Sequence, residues 1–157
     1  MTTAAHIPTK WMKAQGAQTS GQAVALGTDT LKGLWVKAGS GAPSFTSTGI
    51  QFVGDVTATN NEDTAIGARV TLGSVTWAFD GSGTAVDLSC ANIVYAQSGS
   101  DDGLSRYFII YDSSVGAGDS TYPVLYMFDP GTTVSVVSGS YTMTSPTGGF
   151  IQFTGGG

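Results

Sequence analysis

Residues Arg106-Tyr-Phe-Ile-Ile-Tyr-Asp112 and Tyr122-Pro-Val-Leu-Tyr-Met-Phe-Asp129 are apolar, aromatic and β-branched runs, each closed by an aspartate. A small-residue loop, Ser113-Ser-Val-Gly-Ala-Gly-Asp-Ser-Thr121, lies between them. Runs of this length and composition, bounded by turn residues, predict two β-strands. Neither run has a polar face, so both are expected in the middle of a sheet, as antiparallel neighbours.

Outward from this pair the same grammar repeats. Thr28-Asp-Thr30 leads into a strand at Leu31-Lys-Gly-Leu-Trp-Val-Lys37. Strands are also expected over 66–72, 74–79, 86–88, 92–95, 132–137, 141–144 and 150–153. In the second of these Val75, Trp77 and Phe79 alternate with smaller residues, which makes Trp77 a core candidate. Gly73 marks a bend before it, and Asp80-Gly81 a tight hairpin turn after it. Trp35 sits in a run too apolar to assign a face. Many short strands with regular turns indicate an all-β fold, an antiparallel β-sandwich or a closed β-barrel-like domain. The expected organisation is a short N-terminal helix and arm over 1–27 and a β-domain over 28–157.

In the N-terminal part, Pro8 to Gln15 reads as a helix, with Pro8 at its first position and Gly16 as its stop. Such a helix and arm either tie subunits together or pack over one end of the sheet. The stretch from Ala38 to Asn61 is long and irregular, and loops of that length usually carry function or an interface.

The 157 residues are enough for one domain with its own core. Charged residues make up only 11 %, against about a quarter in ordinary domains. A surface so poor in charge permits close contact with other protein surfaces, because little charge has to be desolvated. The net charge is −5, and the bases form no cluster after Lys37. Nucleic-acid binding needs a basic footprint, so it is not expected. No apolar run approaches the ~20 residues of a membrane-spanning helix. No signal peptide is visible at the N-terminus. Cys90 is the one cysteine, which excludes an intramolecular disulfide and fits a reducing cytoplasm.

Catalytic chemistry has few carriers. His6 is the sole histidine and Glu62 the sole glutamate. A triad or a zinc site needs more positioned ligands than these. Paired-carboxylate hydrolysis would fall to Asp112 and Asp129, which end neighbouring strands, but strand-end aspartates more often hold turns. The loop Ser98-Gly-Ser-Asp-Asp-Gly103 lacks the ligand spacing of a calcium loop. No catalytic residue, metal ligand or cofactor is therefore expected. Arg106 is expected to pair with an aspartate or to cap the sheet rim.

Taken in order, the helix, the strand Thr28-Asp-Thr-Leu-Lys-Gly-Leu-Trp-Val36, the segment Phe52-Val-Gly-Asp-Val56, Ile66-Gly-Ala-Arg-Val-Thr-Leu72, and the pair Arg106–Asp112 and Pro123–Asp129 resemble a group of small structural proteins of tailed bacteriophages. Those proteins carry a helix, a D-T-[I/L]-K strand, a D-V loop and an R-Y-hydrophobic-Y-D strand followed by a P-hydrophobic-D strand. The resemblance spans most of the chain through short motifs. The chain departs from the pattern in a less helix-rich N-terminus and in its final Gly155-Gly-Gly157. The resemblance implies a non-enzymatic virion component made in the host cytoplasm. A capsid decoration (cement) protein of the head is the favoured form. It would associate with itself, as a trimer for example, and bind the major capsid protein or another virion protein. A tail or head–tail connector subunit is the alternative, and a carbohydrate-binding module using Trp35 a more distant one. Trp11, Phe45, Ile50 and Phe52 are the candidate interface residues.

Overall fold

The computed structural model describes residues 4–6, 25–38, 49–57, 62–79, 85–97, 104–136, 139–147 and 149–154. The elements in chain order are β1 (Ala4–His6), β2 (Leu31–Lys37), α1 (Val53–Thr57), β3 (Val70–Thr71), β4 (Thr76–Phe79), β5 (Ala85–Ser89), β6 (Ile93–Ala96), β7 (Ser105–Asp112), β8 (Val124–Asp129), β9 (Ser140–Met143) and β10 (Ile151–Thr154). The fold is all-β, and every strand pair is antiparallel. A five-stranded sheet runs β1-β8-β7-β2-β3, a three-stranded sheet β10-β5-β4, and a two-stranded sheet β6-β9. Among the described residues no sheet closes into a barrel.

The expected pair at the centre is present: β7 lies between β2 and β8. Its residues are buried on both faces because the two faces serve different cores. Phe108 and Ile110 join one apolar cluster with Leu31 and Trp35 of β2. Ile109 and Tyr111 join a second cluster with Leu34 and Val36. The period-2 alternation of a strand distributes the side chains in this way. Fully burying each such side chain is worth about 1.5–3 kcal/mol.

β8 breaks the alternation. Ile110 pairs with Tyr126 and Tyr111 with Val124, so a bulge falls at Leu125. Leu125 and Tyr126 consequently face the first cluster together, while Val124 and Met127 face the second. One extra residue in a strand re-aims every side chain beyond it.

Each face of the large sheet has its own cover. The first cluster takes in Leu88 of β5, Ile151 of β10, Ile93 and Tyr95 of β6 and Met143 of β9, so both smaller sheets contribute to it. Trp35 sits at this junction, edge-on to Tyr95 (6.3 Å between ring centroids) and to Tyr141 (5.6 Å). The second cluster is closed by Ile50 and by Val53 and Val56 of α1. α1 lies inside the stretch expected to be irregular. Its first turn is tied by Asp55, whose Oδ2 accepts from the backbone N–H groups of Gln51 and Phe52, both at 2.8 Å.

Other elements depart from expectation. Residues 4–6 form a strand on the β8 edge, with Ala5 opposite Phe128. The helix expected over 8–15 lies outside the described residues. The strand expected over 66–72 is limited to β3, although Ile66 is fully buried in the first cluster. The strand expected over 132–137 is reduced to a single bridge between Val134 and Ser105. β8 occupies that side of β7 from Phe108 onward, so the segment meets β7 ahead of this pairing, at its first residue, Ser105. Trp77 is half-buried against the core, whereas Phe79, expected on the same apolar face, is 74 % exposed.

Candidate functional site

The polar side chains that the fold gathers lie at the rims and loops of the large sheet. Arg69, just before β3, is the most heavily bonded. Its Nε and Nη2 donate to the two oxygens of Glu62 at 2.8 and 2.6 Å. Its Nη1 and Nη2 donate to the two oxygens of Asp119 at 2.6 and 2.7 Å. The guanidinium carbon also lies 5.6 Å from the ring centre of Tyr111, within cation–π range. Asp119 first and Glu62 second raise the arginine pKa still further above its ordinary value. The same bonds hold the Asp119 carboxyl below the usual carboxylate range.

Two further clusters behave alike. Arg106, at the start of β7, pairs in a fork with Asp129 at the end of β8, both bonds at 3.0 Å, as expected from the sequence. Asp129 also accepts from the backbone N–H of Gly131 at 2.7 Å and so holds the turn after β8. Asp63 is buried, and it accepts from the Ser105 hydroxyl at 2.6 Å and from the Ala65 N–H at 3.1 Å. Bidentate, charge-assisted bonds of this kind fix loops against strands.

Asp112, at the far end of β7, differs. It is fully buried. Its Oδ1 accepts from the Ser114 N–H at 2.7 Å, and its Oδ2 has no hydrogen-bond partner. Asp29 stands within hydrogen-bonding reach of it. Burial, reinforced by the Asp29 carboxyl, pushes the Asp112 pKa up to about 6.

An apolar cleft of about 230 Å³ lies where β8 meets β9, walled by Tyr126, Phe128, Tyr141, Met143, Pro146 and Phe150. It is smaller than the ~300–1,000 Å³ of most small-molecule sites, and its size suits one or two side chains. Exposed large apolar side chains occur at Phe79, Val94 and Leu104.

The sequence-derived candidates fall as follows. Ile50 is buried in the second cluster of its own subunit, beneath the large sheet. Phe52 is half-buried and bridges to Pro123. Trp11 and Phe45 lie outside the described residues, as does the loop 98–103. Antiparallel pairing sends β7 and β8 in opposite directions, so Asp112 and Asp129 sit at opposite ends of the sheet and form no carboxylate pair. Trp35 is 1 % exposed and offers no ring to a sugar. His6 belongs to β1, opposite Met127. Among the described residues no three His, Cys, Asp or Glu side chains gather to hold a metal ion. Sequence reasoning missed the Asp29–Asp112 approach and the Arg69 cluster. A strand-end aspartate was the only signal for the first, and nothing in the spacing marked the second.

Comparison of the chain with protein-family models, with curated proteins and with solved structures gives no match.

Proposed function

We propose that the chain is a non-enzymatic structural protein of a tailed-bacteriophage virion, a capsid decoration subunit that associates with copies of itself and binds the head shell. The observation that carries this reading is where the resembling motifs fall in space. The Asp29-Thr-Leu-Lys segment enters β2, Arg106–Asp112 spans β7, Pro123–Asp129 spans β8, and Val53–Val56 is the part of α1 that closes the second cluster. Segments scattered along the chain thus build one sheet and its cover, which supports reading them as one structural unit. In its finer form the architecture is a β-sandwich, with the small sheets as the second layer over the first cluster.

Low charge and exposed Phe79, Val94 and Leu104 suit a module that packs against protein neighbours. A tail or head–tail connector subunit is the second reading, since the motifs themselves do not distinguish virion components.

Co-sedimentation of the purified chain with empty phage heads, and separately with isolated tails, tests the reading. Pelleting with heads is the expected result. Pelleting with tails alone moves the assignment to the second reading, and pelleting with neither overturns both.

A further inference from the structure

Asp112 Oδ2 is a buried carboxylate oxygen without a donor. Beside it stands a second carboxylate, Asp29, whose Oδ2 accepts from the Ala25 N–H at 2.6 Å. Two bare carboxylates in contact repel each other, and burial magnifies the repulsion. Among the described residues no lysine or arginine forms an ion pair with either. The neighbouring titratable groups on the strands, Lys32 and Tyr111, are paired one residue away and so project to the opposite face of the sheet. Asp119, in the loop after β7, is engaged by Arg69. Two carboxylates fall well short of the six to eight oxygens that calcium takes, and among the described residues no third acidic or metal-binding side chain joins them.

We propose that Asp29 and Asp112 form a paired-carboxyl site that binds one proton and thereby latches the turn at residues 25–30 to the corner after β7. The proton on one carboxyl supplies the O–H donor that Oδ2 lacks. Around it the two segments are already laced together: the Thr30 N–H donates to Ser114 Oγ at 2.6 Å, and the Ser113 N–H donates to the Thr30 carbonyl at 3.0 Å. The latched turn also carries Leu26 into the first cluster. Protonation therefore governs how firmly the root of the N-terminal segment is held.

The sign of the pH effect follows from linkage. The folded pKa of Asp112, about 6, lies above the unfolded value of about 3.9. The latch is fully present below the unfolded pKa and is lost as pH rises from about 4 through about 6.

The test is thermal unfolding of the full chain from about pH 4 to about pH 7 for the wild type, Asp112→Asn and Asp29→Asn. Either amide supplies a permanent donor to the remaining carboxylate and so mimics the protonated pair. The expected result is that each variant gains on the wild type by several degrees in Tm between about pH 4 and about pH 7. Hydrogen exchange at the Ala25 and Thr30 amides, corrected for intrinsic rates, should lose protection over the same range in the wild type only. A variant-minus-wild-type difference that is the same at both pH values would overturn the proposal. So would a rise in wild-type Tm on adding calcium chloride at about pH 7 that Asp112→Asn abolishes, since the site would then hold a metal. If Asp112→Asn fails to fold, Asp29→Asn decides alone.

Discussion

Arg69 grips Asp119 at two points, Nη1 to Oδ1 at 2.6 Å and Nη2 to Oδ2 at 2.7 Å. The contact joins segments far apart in the chain. Asp119 also receives the Gly54 N–H on its backbone carbonyl at 2.7 Å, so the β7–β8 loop, α1 and the approach to β3 meet at one residue.

Replacing Asp119 with alanine removes the fork and leaves Arg69 bonded to Glu62 and, at 3.5 Å, to the Tyr111 hydroxyl. Its side chain is 37 % exposed and that of Arg69 25 %, so solvent screening limits the loss to about 1–2 kcal/mol. Asp119→Asn keeps one acceptor and is expected to lose less. The Asp119 pKa is lowered in the folded state. Its contribution is therefore present above the unfolded pKa and disappears as pH falls through the folded one. Urea unfolding at neutral and acidic pH measures both effects, and equal stability of wild type and Asp119→Ala at neutral pH would count against the fork.

Gly33 lies under the Tyr95 hydroxyl. A Cβ at this position would stand 2.6 Å from Tyr95 Oη and 2.8 Å from the Phe108 ring. Gly33→Ala is expected to destabilise the fold by about 1–3 kcal/mol through overpacking. Gly73 is the matched control, with nothing within 4 Å of its Cβ position and no positive φ. There Gly→Ala should be neutral or stabilise by up to about 1 kcal/mol. Similar losses at the two sites would show that the close approach at Gly33 does not exist.

Cys90 is half-buried beside the first cluster, and burial pushes its thiol pKa up. Less thiolate is present at mildly alkaline pH than in a free cysteine, and reagents attack the thiolate. Labelling of the native chain by a disulfide reagent should run at least ~3-fold slower than labelling in urea. A native rate equal to the unfolded one would place the thiol outside the packed structure.

The central strands were legible because Arg106–Asp112 and Tyr122–Asp129 are apolar on both faces, which only a sheet interior rewards. The face of Trp35 was not, since Leu34, Trp35 and Val36 are all apolar and only the pairing with β7 sorts them between two clusters. The bulge at Leu125 left no trace, because no glycine marks it. α1 was hidden by Gly54, a poor helix former; Val53 and Val56, three residues apart, form it by burying one face. The candidate interface was the least legible. Ile50 looks like a loop residue in sequence and proves to be core, because apolar composition does not tell an intersubunit contact from an internal one. The approach of Asp29 to Asp112 depends on the register Leu31–Asp112, which no local pattern encodes.

Solution mass by light scattering, for the chain alone and mixed with empty phage heads, tests the central claim most directly. The account predicts a stable trimer or higher ring that saturates the heads at a fixed ratio. A chain that stays monomeric and leaves the mass of the heads unchanged would contradict it.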